Sequence, residues 1–229
     1  MDPSFGWDVP GWGTKTWPFR DTTCHRSLSW SQLAAPSVNR MAMNYVHKLM
    51  CRSAAWERTS TTRIVPWALS GLDLGASALE IGPGYGANIR ALRERTGKLT
   101  GIEIDPVLVD RLRTRHGAAM TVIQGDGADM PLPPRQFDSV VCFTMLHHVP
   151  TVGAQDALFG EALRVLRPGG VFAGSDGLDG RVFRLLHLGD TCVPVPPEHA
   201  ADRLIRVGFT DVEIETGAGS FRFRARRPE

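Results

Sequence analysis

The sequence predicts an α/β protein built on a doubly wound, mainly parallel sheet of seven strands with an antiparallel C-terminal hairpin. Three observations carry this. From residue 76 short apolar runs alternate with amphipathic stretches of about ten residues. The first run, "SALEI", ends in the glycine-rich turn "GPGYGA" and resumes at helical spacing in "GANIRALRER". The last two runs, "DVEIET" and "SFRFRAR", face each other across "GAGS", as a hairpin does.

Each element has its own local reason. "LTGIEI" is the second strand, and "DPVLVDRLRTRHG" the helix after it, with Asp105 at a capping position and Pro106 in the first turn. "MTVIQGD" and "FDSVVCF" are the third and fourth strands, "AQDALFGEALRVL" is a helix, and "LRPGG" stops it and feeds the fifth strand, "GGVFAGSD". "PEHAADRLIRVGF" is a helix closing on Gly208. In the terminal strand Arg222, Arg224 and Arg226 alternate with Phe221, Phe223 and Ala225. With Arg227 they form the outward face of an amphipathic strand rather than a phosphate tract.

Residues 76–229 are therefore one domain. Residues 41–75 form a helical segment covering its pocket, with Val46, Leu49, Met50 and Trp56 at helical steps. Residues 1–40 read as a disordered extension, because Trp7, Trp12 and Trp17 recur every five residues among Gly and Pro, which fits neither helix nor strand. An upstream misreading of the start is the alternative for that stretch.

Composition excludes some classes. At 42% hydrophobic and 22% charged, the 229 residues suit a globular core. Lys and Arg number 26 against 24 Asp and Glu, so no global field marks a nucleic-acid binder. The cysteines, Cys24, Cys51, Cys142 and Cys192, form no CxxC pair, and no apolar run approaches the length of a membrane span. A cytoplasmic, reducing setting is expected, with no membrane partner. Oligomeric state is unmarked.

In a sheet of this kind ligands sit beyond the carboxyl ends of the strands, beside the first strand-to-helix turn. Gly82 and Gly84 let the backbone approach a ligand, and Gly86 or Ala87 allows close helix packing. Glu103, ending the second strand, is placed for two ribose hydroxyls. The turn alone fits a dinucleotide as well as any other nucleoside cofactor.

Three further elements narrow it: Glu80 before the glycines, an Asp at the end of the third strand in "QGDGADM", and "LRPGG". In this order they resemble the class I S-adenosylmethionine-dependent methyltransferases of the small-molecule type, over roughly residues 76–177. That resemblance implies a Rossmann-like methyltransferase fold, S-adenosyl-L-methionine as cofactor, and methyl transfer to an O, N or C atom of a small metabolite. It further implies that Glu80 orders the glycine turn and that Gly82, Gly84 and Gly86 lie beside the methionine moiety. Glu103 would take the ribose hydroxyls and Ile104 would pack on adenine. Asp126 would face the adenine amine, with Gly127 and Ala128 offering a backbone donor. Cys142, Phe143 and Thr144 would line the sulfonium side.

"LEIGPGYG" with "GIEIDPVLVDRL" is also close to the ribosomal RNA adenine dimethyltransferases. Those carry an Asn/Asp-x-Pro-aromatic motif where this chain reads "CFTMLHHV", and a basic RNA-binding domain is missing here too. Nucleic acid is accordingly disfavoured as a partner. A nicotinamide-dependent oxidoreductase would need a hydride-transfer pair, yet neither Tyr45 nor Tyr85 has a lysine four residues on. A non-catalytic protein retaining the pocket is the third class.

A methyl acceptor with an O or N atom needs at most one base. His147 and His148, past the fourth strand, are the candidates, since neutral imidazole is available near neutral pH. Asp176, His187 and Asp190 fall in the stretch that closes over the acceptor, with His187 reading as a core histidine. Tyr45, Trp56 and Trp67 offer a second wall or plain packing. No metal site is expected, because Cys192 and His199 have no partner pair and no His-x-x-x-His occurs.

Overall fold

The computed structural model describes residues 43–229; the expected extension over residues 1–40 lies outside the described residues. Seven strands form one sheet in the order β3-β2-β1-β4-β5-β7-β6. These are β1 (Ser77–Ile81), β2 (Lys98–Glu103), β3 (Thr121–Gln124), β4 (Phe137–Phe143), β5 (Leu166–Gly177), β6 (Thr210–Thr216) and β7 (Ser220–Arg226). The first five pair in parallel, and β7 runs antiparallel to both β5 and β6. Order reverses between β2–β1 and β4, which puts a switch point at the carboxyl ends of β1 and β4.

The helices follow from caps and breakers. On the N-terminal side lie α1 (Tyr45–Cys51), α2 (Ala54–Thr59), a π-helical turn (Ser60–Ile64) and α3 (Val65–Ala68). After β1 comes α4 (Ile89–Arg93), and α5 (Pro106–His116) follows β2, capped by Asp105 accepting from the Val107 amide. Helices α6 (Val152–Val165), α7 (Arg181–Leu186) and α8 (Pro197–Val207) complete the set, and Gly208 ends α8 at φ 115°, a left-handed position that favours glycine. Two apolar cores flank the sheet. One joins Phe159, Leu204 and Phe209 of the α6/α8 layer to Phe172 and Phe223; the other joins Leu92 and Leu112 to Val65 and Leu69. A fully buried ring such as Phe172 contributes about 1.5–3 kcal/mol.

Two expectations change. The run from Met43 to Thr59 is two helices, because Ser53 accepts from the Trp56 amide at 3.1 Å and starts a new one. On α1 it is His47 that is buried, while Val46 and Leu49 are 65% and 59% exposed. The apolar spacing does not choose the inward face there; a carboxylate on the opposite segment does, as described below.

The C-terminal arginines behave as an amphipathic strand requires. Phe221, Phe223 and Ala225 are buried, and the guanidiniums reach backbone carbonyls: Arg222 to Trp67 at 2.6 Å, Arg224 to Ser70 at 2.6 Å, Arg227 to Leu163 at 2.7 Å. Arg222 and Arg224 fasten the N-terminal segment to the sheet, and Arg227 holds the end of α6. Among the described residues no helix is long and apolar enough to cross a membrane.

Candidate functional site

The glycine turn between β1 and α4 is made of backbone. Gly82, Gly84 and Gly86 take φ values of 66°, 56° and 88°, which delays α4 until Ile89. A methyl group at Gly84 would meet nothing nearer than 4.0 Å, so the turn presents bare peptide to the space above it. At Gly86 the same group would run into His116 and Ile89 at 2.9 Å; that glycine serves packing.

Glu103 closes the adjacent strand and braces the turn. Its Oε2 accepts from the Gly84 amide at 3.0 Å and its Oε1 from the Asp105 amide at 3.1 Å. A carboxylate has about four acceptor positions, so capacity for two hydroxyls remains. Burial raises its pKa, and those backbone donors oppose the rise. Glu80 is fully buried and acts one residue further back: its Oε1 accepts from Asn88 Nδ2 at 2.7 Å, and Asn88 in turn accepts from Ser60 Oγ. Desolvation pushes Glu80 up to about 7, with Asn88 opposing and Glu103 adding to the rise. Its Oε2 has no hydrogen-bond partner among the described residues.

A cavity of about 670 Å³ opens over this turn. That volume suits a nucleoside cofactor with a small second ligand. Of the residues expected from the sequence, Gly82, Gly84, Glu103, Phe143, Thr144, His147 and His148 line it. Thr144 sits at φ 50°, a strained position for a β-branched residue, held by its amide on Ser175 O at 2.8 Å. Glu80, Gly86, Ile104, Asp126, Gly127 and Ala128 are not among the lining residues. Asp126 folds back to accept from the Ala128 amide at 2.8 Å, the local turn that Asp-Gly favours. Cys142 departs from the expectation that it lines the sulfonium side. It is fully buried among Leu79 and Phe172 on the other face of β4, and burial holds its thiol well above the usual range.

The far wall is a cluster of imidazoles. His147 and His148 lie on a short 3-10 turn after β4, His187 ends α7, and His47 comes from α1. All four are 6% exposed or less. His147 Nδ1 lies 2.6 Å from Asp176 Oδ1, while its backbone amide donates to Asp176 Oδ2 at 3.0 Å. His47 Nδ1 lies 2.7 Å from Asp190 Oδ2. His148 Nδ1 faces Thr191 O at 3.2 Å, and His187 Nδ1 faces Phe183 O at 2.7 Å. Burial, reinforced by the neighbouring His147 and His47, drives His148 down to about 2, and burial also lowers His187. His148 is therefore a neutral ring at ordinary pH.

Two sequence expectations are therefore revised. His187 is buried, as a core histidine would be, yet it lines this cavity and its Nε2 has no hydrogen-bond partner among the described residues. The four imidazoles meet although no local spacing announces them: His47 is 100 residues from His147 in sequence. Trp56 and Trp67 line the cavity, whereas Tyr45 is 80% exposed and does not. Asn88, His47 and the Asp176 pairing were not singled out in the sequence. The Asn88 signal was present, in an Asn at the first helical turn after a buried Glu.

Residues 79–174 match the family described as "Methyltransferase domain". A fatty-acid O-methyltransferase of Mycolicibacterium smegmatis is 35% identical over 105 residues, 44% of this chain and 37% of the relative. A probable ribosomal RNA small subunit methyltransferase A of Methanospirillum hungatei is 40% identical over 78 residues, 31% of this chain and 30% of the relative. The chain thus spans about a third of the length of these curated relatives. Among solved structures, the N-methyltransferase NodS of Bradyrhizobium japonicum, in complex with S-adenosyl-L-homocysteine, superposes with a TM-score of 0.60 at 19% identity, over 78% of this chain and 91% of that one.

Proposed function

We propose that this chain, whose residues 79–174 match a methyltransferase domain, is a class I S-adenosylmethionine-dependent methyltransferase that transfers a methyl group from S-adenosyl-L-methionine to an oxygen or nitrogen of a small, largely apolar molecule. The His147–Asp176 pair at the cavity wall carries this reading. When bound, the cofactor supplies an electrophilic methyl group on a sulfonium. The bare turn at Gly82 and Gly84 accommodates its amino-acid end, and Glu103 its ribose. Burial of Glu80 behind Asn88 adds a carboxylate that a cationic ligand would ionise.

The acceptor side needs orientation and a place for one proton. Asp176 fixes the His147 tautomer with hydrogen on Nδ1 and leaves Nε2, buried and without a partner, as the acceptor. The same carboxylate stabilises the imidazolium that forms. Met43, Met50, Trp56, Trp67, Phe183 and Leu186 supply an apolar surround that suits a hydrophobic body better than a nucleotide.

Two measurements test the proposal. Calorimetry should show S-adenosylhomocysteine binding and no NAD binding; the reverse would replace the methyltransferase by an oxidoreductase. Incubation of the protein with methyl-labelled cofactor and a cell extract should put label into small organic-soluble molecules. Label in RNA instead would favour the ribosomal RNA relative's chemistry.

A further inference from the structure

The His147–Asp176 pair uses one of the four imidazoles. The other three are held alike: the Nδ1 of His47, His148 and His187 faces an oxygen, from Asp190, Thr191 and Phe183 respectively. Because those oxygens accept, each ring is set with its hydrogen on Nδ1 and its lone pair on Nε2. One ring nitrogen from each of His47, His148 and His187 lies within 4.8 Å of the other two. Ring centroids stand 5.1 Å apart for His47 and His148, 4.5 Å for His47 and His187, and 5.5 Å for His148 and His187.

We propose that His47, His148 and His187 hold a divalent transition-metal ion of the zinc class, with its open coordination position facing the cavity.

The donor set fits. Zinc takes imidazole nitrogen at about 2.0–2.1 Å, and sites with three protein ligands keep a fourth position for water or substrate. In such a tetrahedron the nitrogens lie about 3.4 Å apart, which the rings reach by moving inward less than about 1 Å each. A ligating histidine characteristically donates its other N–H to a carboxylate or carbonyl, which orients the ring and raises its basicity. All three do so here. Asp190 is further fixed by accepting from the Asn44 amide, and its side chain is fully buried. Among the described residues the buried His187 Nε2 has no hydrogen-bond partner, and coordination would supply one.

The consequence for substrate class rests on the methyltransferase reading. An acceptor would present a ligating oxygen or nitrogen to the ion, beside His147, whose ring lies 4.2 Å from that of His148 and 4.7 Å from that of His187.

The full chain, stripped with a chelator and titrated with cobalt(II), tests the site without any turnover. The expected result is one equivalent of cobalt per chain, visible d–d bands of a nitrogen-ligated ion, and displacement by zinc. H187A and H47A should lose the bands. D190N, which keeps an acceptor for His47 but removes the charge, should weaken cobalt binding by about 10–100-fold. Thermal melting and S-adenosylhomocysteine calorimetry establish that each variant is folded. Absence of stoichiometric uptake by the wild type, or unchanged uptake by the folded H47A/H187A double variant, overturns the site. Homocysteine-ligand binding without cobalt uptake removes the metal and leaves the methyltransferase reading standing. Cobalt uptake without that binding does the opposite.

Discussion

The two walls of the cavity are built in opposite ways. The wall of the glycine turn and Glu103 comes from residues 82 to 103, is mostly backbone, and is set by local conformation: three positive φ values and two amide-to-carboxylate bonds. The imidazole wall is all side chain, drawn from α1, the turn after β4, and the stretch from the end of β5 through α7, three segments far apart in sequence. A nucleoside common to many enzymes can be held by peptide groups, whose geometry the fold repeats. Chemistry on a particular acceptor needs titratable groups, and these are placed by packing between distant segments.

If that division is real, damage to the two walls separates kinetically. The largest effect is expected at His147: H147A should lower kcat by about 10²–10⁴-fold while leaving S-adenosylhomocysteine affinity unchanged. D176N should follow in the same direction with a smaller loss, because the ring keeps its place and loses the charge behind it. An equal drop in cofactor affinity in either variant would erase the distinction between the walls.

The next effect belongs to the other wall. E103A removes a charged acceptor worth about 1.5–3 kcal/mol, so S-adenosylhomocysteine affinity should fall by about 10–150-fold in calorimetry. Turnover at saturating cofactor should change little.

Glu80 sharpens the comparison through pH. Its pKa rises from the ordinary 4.5 to about 7 on folding, so the unfolded chain ionises first. Its stability contribution is full below the unfolded value and is lost as pH rises through about 7. E80Q, which stays neutral, should therefore melt higher than the wild type at pH 8, with the difference shrinking toward pH 4.5. Cofactor should narrow the gap at pH 8 by favouring the ionised carboxylate. A gap that widens as pH falls would reverse the assignment.

The smallest effect is structural. R222A removes the Arg222 bond to Trp67 O and its stack on the Trp67 ring at 5.5 Å, loosening the segment that carries His47 toward the cavity. A loss of about 1 kcal/mol, or roughly 2–4 °C in Tm, is expected.

What was legible follows the same line. "SALEI", "FDSVVCF" and the hairpin were legible because strand burial on two faces leaves continuous or alternating apolar runs. Asp105 and Gly208 were legible because caps act within a turn of chain. The turn at Gly82 and Gly84 and the strand end at Glu103 were legible because glycine turns and strand boundaries are local features. The inward face of α1 was not, since Val46 and Leu49 have the spacing of a buried stripe and Asp190 turns His47 inward instead.

The sequence alone therefore determined the alternation of strands and helices and the glycine turn after β1, because both are written in patterns between near neighbours in the chain. Only the tertiary structure decided that His47, His147, His148 and His187 share one wall, and that Asp176 and Asp190 stand behind two of them. Imidazole pairing acts through space at a few ångströms, and such distances between remote segments exist only once the sheet and its covering helices have packed.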